Sequence, residues 1–540
     1  MEEKRNWAVY VPIFVGVSLA LGFWIGSTFV QPQGLRGAAV NSSNEFDMLS
    51  ELINYIDEEY VDEVSKNEII EKTVKEILSD LDPHSYYISP EELAEMNEPL
   101  EGNFDGIGIQ FNIQNDTLVV IDPIVGGPSE KVGIKAGDRI VRVNDSLIAG
   151  VQVSNRTVLK LLKGKKGTKV NVAVSRRGVK ELSFTITRDK IPIHSVSVSY
   201  MIDSKTGYIK VDRFGANTSE EFFTGMRKLK NAGAQKVVID LRGNGGGYMN
   251  AATEMLDGFF DRNELLVYTE GKSRSKSESK AQTKEEFIQM VVAVLMDESS
   301  ASASEIFAGA MQDHDRGVII GRRSFGKGLV QEQNMWPNGG ATRLTIARYY
   351  TPSGRCIQKP YSDGSDNYNE DYYHRYESGE MLSKDSIDIS DSSVFYTDNG
   401  RVVYGSGGII PDIFVPIDTS HGSGYLNTLL YNGVIYDFAF NYADVHREEL
   451  LAFIDASNYV NSFQMSGGVL EDFKTFSENR DIPFDSEGFK RSERIIKKRI
   501  KAYIARNIWG DEGFYPIWNA DDKTVNAAVF MNAKKVLSGE

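Results

Sequence analysis

A row of small hydroxyl residues and a lysine 25 positions beyond Ser302 are the residues here that could do chemistry. The row is Met296-Asp-Glu-Ser-Ser-Ala-Ser-Ala-Ser-Glu-Ile306, at the start of an apolar helical stretch; the lysine is Lys327, set between Gly326 and Gly328 in Arg323-Ser-Phe-Gly-Lys-Gly-Leu-Val-Gln331. A serine hydroxyl is a poor nucleophile until a neighbour takes its proton. Histidine is the usual base, but His314 lies twelve residues after Ser302 on the same helix, about 18 Å away at the rise of an α-helix. Lysine serves instead when burial lowers its pKa enough to leave the amine neutral, and Phe325 and Leu329 give Lys327 apolar neighbours. Ser299, Ser300, Ser302 and Ser304 are all candidates for the nucleophile at this level.

Two plainer readings compete. Ser302-Ala-Ser-Glu305 is a capping box, a common way of starting a helix with no catalysis attached. Gly321-Arg-Arg-Ser-Phe-Gly-Lys-Gly328 comes close to a phosphate-binding loop. It lacks the magnesium-binding hydroxyl, however, and a strand over 329–333 follows it where that loop requires a helix.

The elements that must position these residues read as follows. From 191 to 416 strands and helices alternate, which predicts a largely parallel α/β core. Buried strands are expected over 234–241, 287–296 and 318–321, with a helix over 250–260. The first strand runs into Arg242-Gly-Asn-Gly-Gly-Gly-Tyr248, and a strand, Gly-rich turn and helix present backbone N–H groups to negative charge. With the amide after a serine at the start of the next helix, such a turn could form an oxyanion hole.

Between 102 and 189 short strands are expected over 107–112, 118–121, 139–143, 169–175 and 181–188, with helices over 128–132 and 153–162. Phe104-Asp-Gly-Ile-Gly-Ile-Gln110 and Gly133-Ile-Lys-Ala-Gly-Asp-Arg-Ile-Val-Arg-Val-Asn144 resemble a PDZ domain. That likeness implies a loop of amides at Gly106, Ile107, Gly108 and Ile109 capturing a chain-terminal carboxylate, beside a strand edge that takes a peptide by β-addition. Residues 44–99 read as an N-terminal helical region broken at Leu81-Asp-Pro-His-Ser-Tyr-Tyr87, where His84 reads as structural or exposed. Residues 418–540 read as a mainly helical extension to which no chemistry is assigned.

Residues 7–30 form an apolar run long enough to span a bilayer, and Lys4 and Arg5 before it put residues 1–6 in the cytoplasm and the body outside. A cleaved signal peptide, with Gly37-Ala38-Ala39 as its cleavage pattern, would export the body as well. Among 540 residues Cys356 is the single cysteine, so neither an intrachain disulfide nor a cysteine metal site can be built. The length implies three or four domains, and a net charge of -16 argues against nucleic acid as a partner.

ESSASASEIFAGAMQDHDRGVIIGRRSFGKGLVQ, with LRGNGGG before it and YTPSGRCIQKP and GGIIPDIFVP after it, resembles the carboxyl-terminal processing, or tail-specific, serine proteases. The likeness covers roughly residues 40 to 416, with the blocks in that family's order. It implies a multidomain α/β protein with a crotonase-like, Clp-protease-like catalytic core, a PDZ-like domain, an N-terminal helical region and a helical C-terminal extension. By position it makes Ser302 the nucleophile, Lys327 the general base and Gln331 the residue orienting that lysine, with Gly246 and Ala303 as oxyanion amides. Asp313, an aspartate sometimes named as functional, lies about 16 Å from Ser302 along the helix, which points to a structural role. The expected activity is that of an exported, membrane-anchored endopeptidase in the periplasm of the cell, cutting protein substrates near accessible C-termini through an acyl-enzyme. It needs neither metal nor other cofactor, and the likeness leaves self-association open. The rival expectation is a non-catalytic PDZ scaffold that binds protein C-termini.

Overall fold

The computed structural model describes residues 43–539 apart from 177–178, 283–285, 363, 390–392 and 406, so the anchor expected over 7–30 lies outside the described residues. Among the described residues no helix is long and apolar enough to cross a membrane. The chain divides into two compact units, Met1–Glu76 and Ile77–Glu540. Helices span Ser43–Glu59 and Lys66–Ser79.

The region expected to form the α/β core is built on a six-stranded sheet, in the order Val196–Met201, Thr206–Val211, Lys236–Asp240, Val291–Met296, Gly317–Gly321 and Ile413–Phe414. The first pair is antiparallel and the rest parallel. KVVID, VVAVLM and GVIIG carry apolar residues at almost every position because both faces of these strands are covered. On one face Val237, Ile239, Val292, Val294 and Ile319 pack with Phe222, Met226, Met255 and Phe307 from the helices Thr218–Asn231, Met249–Leu256 and Ala303–Asp313. On the other, Val238, Ala293, Leu295 and Ile320 pack with Val525 and Ala528 of the C-terminal helix Lys523–Phe530. The sequence expectation of a strand over 287–296 is shortened at its start: Phe287 turns, donates its N–H to Gly258 O at 2.8 Å and stacks on Phe223.

A second, antiparallel sheet joins Tyr86–Ile88, Ala341–Tyr350, Leu265–Gly271 and Arg274–Lys280, with Leu329–Met335 also pairing Ala341–Tyr350. The strand Tyr86–Ile88 begins at the break expected over 81–87 in an otherwise helical reading of 44–99, and the partner that makes it a strand is more than 250 residues away. After it the helix Pro90–Glu101 begins with proline behind the Ser89 capping box and ends on Gly102 at φ 73°.

The PDZ region has its own core around Ile107, Leu118, Val120, Ile140, Val143, Val172 and Ile186. The strand expected over 139–143 is found at Arg139–Val143, and Ile109–Gln114 lies at the edge of the sheet. Asn103–Gly106 pairs with Asp189–Pro192 and so closes the region's entrance against its exit. Beyond Asp418 the chain forms helices with an aromatic-rich core of their own, including Phe438, Tyr459, Phe473 and Phe514.

Candidate active site

The strand Val291–Met296 ends in a turn that separates the four serines. Ser300 Oγ donates to Leu241 O and Ser304 Oγ donates to Asn244 O, each at 2.9 Å, and both side chains are fully buried against the Gly-rich turn. Ser299 is exposed, and its N–H donates to Asp297 Oδ1 at 3.1 Å. Ser302 is half-buried at the cavity wall, and its side chain makes no cap hydrogen bond among the described residues. Its backbone sits at φ 56° and ψ -114°, a conformation that a residue with a side chain rarely adopts. Half of the expected capping box is tight: Ser302 N–H donates to Glu305 Oε2 at 2.8 Å. In the other half the serine side chain faces the Glu305 N–H without a cap hydrogen bond, because that N–H donates to Ser302 O at 2.8 Å.

Glu305 reaches further than its own helix. It is fully buried, and its Oε1 accepts from Ser324 Oγ at 2.5 Å and Gly326 N–H at 2.7 Å, while Oε2 also accepts from Lys327 N–H at 2.9 Å. Burial raises its carboxyl to about 7 against the pull of these donors. Lys327 is thereby held in the wall of a cavity of about 550 Å³ that it shares with Ser302, Gly246 and Gln331. Burial and the charge of Arg343 lower its pKa, while Glu305 and Asp82 act in the opposite sense.

Gln331 sits where Leu329–Met335 slips register against its partner strand. Its Nε2 donates to Thr345 Oγ1 at 3.2 Å, and Thr345 Oγ1 donates to Asp82 Oδ1 at 3.0 Å. Thus Gln331 is anchored through Thr345 to the LDPHSYY segment. Sequence reasoning missed Asp82 in this role, and Asp82-Pro83 itself was the available signal. His84, expected to be structural or exposed, is half-buried, with Nε2 2.8 Å from Tyr368 Oη. Burial and the nearby Lys327 charge push the imidazole down to about 4, which leaves it neutral.

Of the two expected oxyanion amides, one is engaged within its own turn. Gly246 N–H donates to Asn244 Oδ1 at 2.8 Å, because the buried Asn244 side chain folds back over the turn and donates from Nδ2 to Val211 O at 2.9 Å. Gly246 also leaves no room for a side chain: a Cβ there would lie 2.8 Å from Ser302 Cβ and 2.9 Å from Ala303 N. Among the described residues the N–H groups of Ala303, Gly245 and Gly247 make no hydrogen bond.

Asp313 faces away from this chemistry. Its Oδ1 accepts from Arg355 Nη2 at 2.7 Å with both side chains 1% exposed, and its Oδ2 accepts from Ser353 N–H at 3.0 Å. It therefore fixes the YTPSGRC segment. His314 is held between Asp398 and Leu265 O, so it offers no base to Ser302. The cavity also contains residues that sequence reasoning passed over: Asn97, Leu100 and Glu101 from the helix Pro90–Glu101, and Tyr248, Gln333 and Arg343. Arg343 donates to Tyr86 Oη at 2.8 Å, Asn97 Oδ1 at 2.9 Å and Gln333 Oε1 at 3.1 Å, all neutral acceptors. Apart from Tyr248, which closes the Gly-rich turn motif, no local sequence pattern marks them, since their elements converge only in the fold.

In the PDZ region Gly106, Ile107 and Gly108 are buried and Ile109 half-buried. Ile107 O accepts from Ser129 Oγ at 2.6 Å and Gly108 O accepts from Ile124 N–H at 3.0 Å, so both carbonyls are turned into the domain. Among the described residues no group of acidic, histidine or cysteine side chains could hold a metal ion.

Comparison with known proteins agrees with this architecture. Residues 205–364 match the model of Peptidase family S41, 106–187 that of the PDZ domain, and 425–510 that of a family of unknown function. The carboxy-terminal processing protease CtpA of Bacillus subtilis (strain 168) is 33% identical over 357 residues, covering 66% of this chain and 75% of the relative. CtpB of the same organism is 33% identical over 319 residues, covering 58% of this chain and 65% of the relative. Among solved structures, a photosystem II D1 C-terminal processing protease aligns at 28% identity and a TM-score of 0.35, over 58% of this chain and 84% of that one.

Proposed function

The chain belongs to peptidase family S41 as a serine peptidase of the carboxy-terminal processing type with a PDZ domain, and from that membership we propose an exported, membrane-anchored endopeptidase using Ser302 and Lys327. The observation that carries the reading is the sharing of one cavity by the Ser302 hydroxyl, which makes no cap hydrogen bond, and a Lys327 amine held below its ordinary pKa. Ser302 Oγ attacks the scissile carbonyl carbon as its proton passes to the neutral Lys327 Nζ. The tetrahedral alkoxide accepts hydrogen bonds from Ala303 N–H and from an uncommitted amide of the Gly-rich turn. Lys327 then returns the proton to the leaving amine, and the acyl-enzyme is hydrolysed by a water that Lys327 deprotonates in turn.

The substrate tail enters at Gly106–Ile109 and pairs along the edge strand Ile109–Gln114. The apolar run over 7–30, preceded by Lys4 and Arg5, anchors the protein with its body outside the cytoplasm. The decisive assay is cleavage of an unfolded protein with an apolar C-terminal tail by the purified body. Ser302→Ala and Lys327→Ala should each bind it and leave it intact, with rates at least 1000-fold below wild type. Turnover by Ser302→Ala equal to that of wild type would sink the reading and leave a tail-binding scaffold with a different hydrolytic site.

A further inference from the structure

The nucleophile and the base are 25 residues apart in sequence and lie on different elements, so something must fix their separation. Glu305 Oε2 accepts from both Ser302 N–H, at 2.8 Å, and Lys327 N–H, at 2.9 Å. On the carbonyl side the Tyr349 hydroxyl reaches Lys327 O at 2.7 Å and Ser302 O at 3.2 Å. Glu305 is 0% and Tyr349 1% exposed, and each ties the two residues by backbone atoms alone. An ordinary capping box needs only the bond from Glu305 to its own helix. The bonds to Ser324, Gly326 and Lys327 extend it across to the lysine loop.

We infer that Glu305 and Tyr349 are positioning residues for the proposed reaction, a clamp that sets the distance from Ser302 to Lys327 by holding the N–H groups of both with one oxygen and their carbonyls with one hydroxyl. This inference rests on the Ser302/Lys327 reading. Neither clamp residue is among those lining the catalytic cavity, so their loss should act on the chemical step and spare substrate binding.

Tyr349→Phe keeps the ring in its core position and removes only the hydroxyl. Glu305→Gln keeps the shape, but an amide carries one acceptor oxygen where four donors converge, so the lysine loop loses at least one bond. Steady-state kinetics on a tail-bearing protein should show kcat reduced about tenfold or more in each variant, with KM within about threefold of wild type. Phosphonylation of Ser302 by a fluorophosphonate should slow in parallel, with thermal unfolding retained as one cooperative transition. Glu305→Ala should fall further than Glu305→Gln, so that the isostere partly rescues. The inference is overturned if both conservative variants keep kcat within about twofold, or if kcat, tail-peptide affinity and unfolding temperature decline together. Ser302→Ala assayed alongside separates the two failures: an active Ser302→Ala defeats the catalytic assignment itself, whereas an inert Ser302→Ala beside fully active clamp variants defeats only the clamp.

Discussion

Arg343 stands near Lys327 with a positive charge that favours the neutral amine, and among the described residues its side-chain hydrogen bonds go to neutral acceptors. Burial is the larger influence, and Glu305 and Asp82 pull the other way. Lysine acts as a base only when deprotonated, so the rising limb of activity with pH should follow this amine and lie below the range of free lysine. Arg343→Gln removes the like charge, lets the Lys327 pKa rise and should move that limb to higher pH, read from kcat/KM across a pH series. A limb that stays put or moves down would refute the electrostatic role. Ser302 illustrates a second consequence at this scale. Its backbone at φ 56° and ψ -114° suits glycine, and a side chain there stores about 1–3 kcal/mol of strain. Ser302→Gly should therefore unfold at higher urea than Ser302→Ala, by about 1 kcal/mol, although both are inactive. Equal stabilities would mean that the turn carries no strain.

The Gly-rich turn works as a unit, and its glycines are not equivalent. A methyl group on Gly246, at φ 99°, would meet Ala301 O at 2.7 Å, Ser302 Cβ at 2.8 Å and Ala303 N at 2.9 Å, whereas one on Gly245 meets nothing within 4 Å. Gly246→Ala should lower kcat about 100-fold or more while sparing tail binding, and Gly245→Ala should keep most of its activity. Comparable losses in both would mean that the turn tolerates no side chain anywhere, and the steric account of Gly246 would fail. Much of this level was legible in the sequence. The strands expected over 139–143 and 318–321, the latter found at Gly317–Gly321, the helix start at Ser302 and the lysine loop all follow from apolar runs punctuated by glycine. What stayed hidden depends on partners far away in the chain. Gln331 is fixed through Thr345 by Asp82, and Tyr86–Ile88 becomes a strand only against Ala341–Tyr350. The engagement of the Gly246 amide was equally hidden, because the Asn244 side chain that takes its N–H folds back only in the formed turn.

At the scale of the whole molecule, the helical extension that sequence left without a role forms one of the two layers covering the catalytic sheet. Val198, Tyr208, Val238, Ala293, Leu295, Val318 and Ile320 present a continuous apolar face, and Val525, Ala528 and Tyr515 lie against it. Polar contacts run in the same direction. Lys236 Nζ donates to Val529 O at 2.7 Å, and Asp522 pairs at 2.9 Å with Arg242, the first residue of the Gly-rich turn. Asp444 of the extension, in the helix Val434–Val445, pairs at 2.8 Å with Arg139 of the PDZ region, so the extension touches both the core and the PDZ region through different helices. Natural boundaries fall where few contacts cross, and the end of the peptidase blocks near Asp418 is not such a place. A chain ending at Asp418 would leave one face of the sheet open to water, and exposed apolar surfaces of that kind drive association. Expressed beside the full-length body, that fragment should be aggregated on size-exclusion chromatography and inactive. A monomeric, active fragment would instead show that the extension is an independent appendage resting on a sheet stable without it.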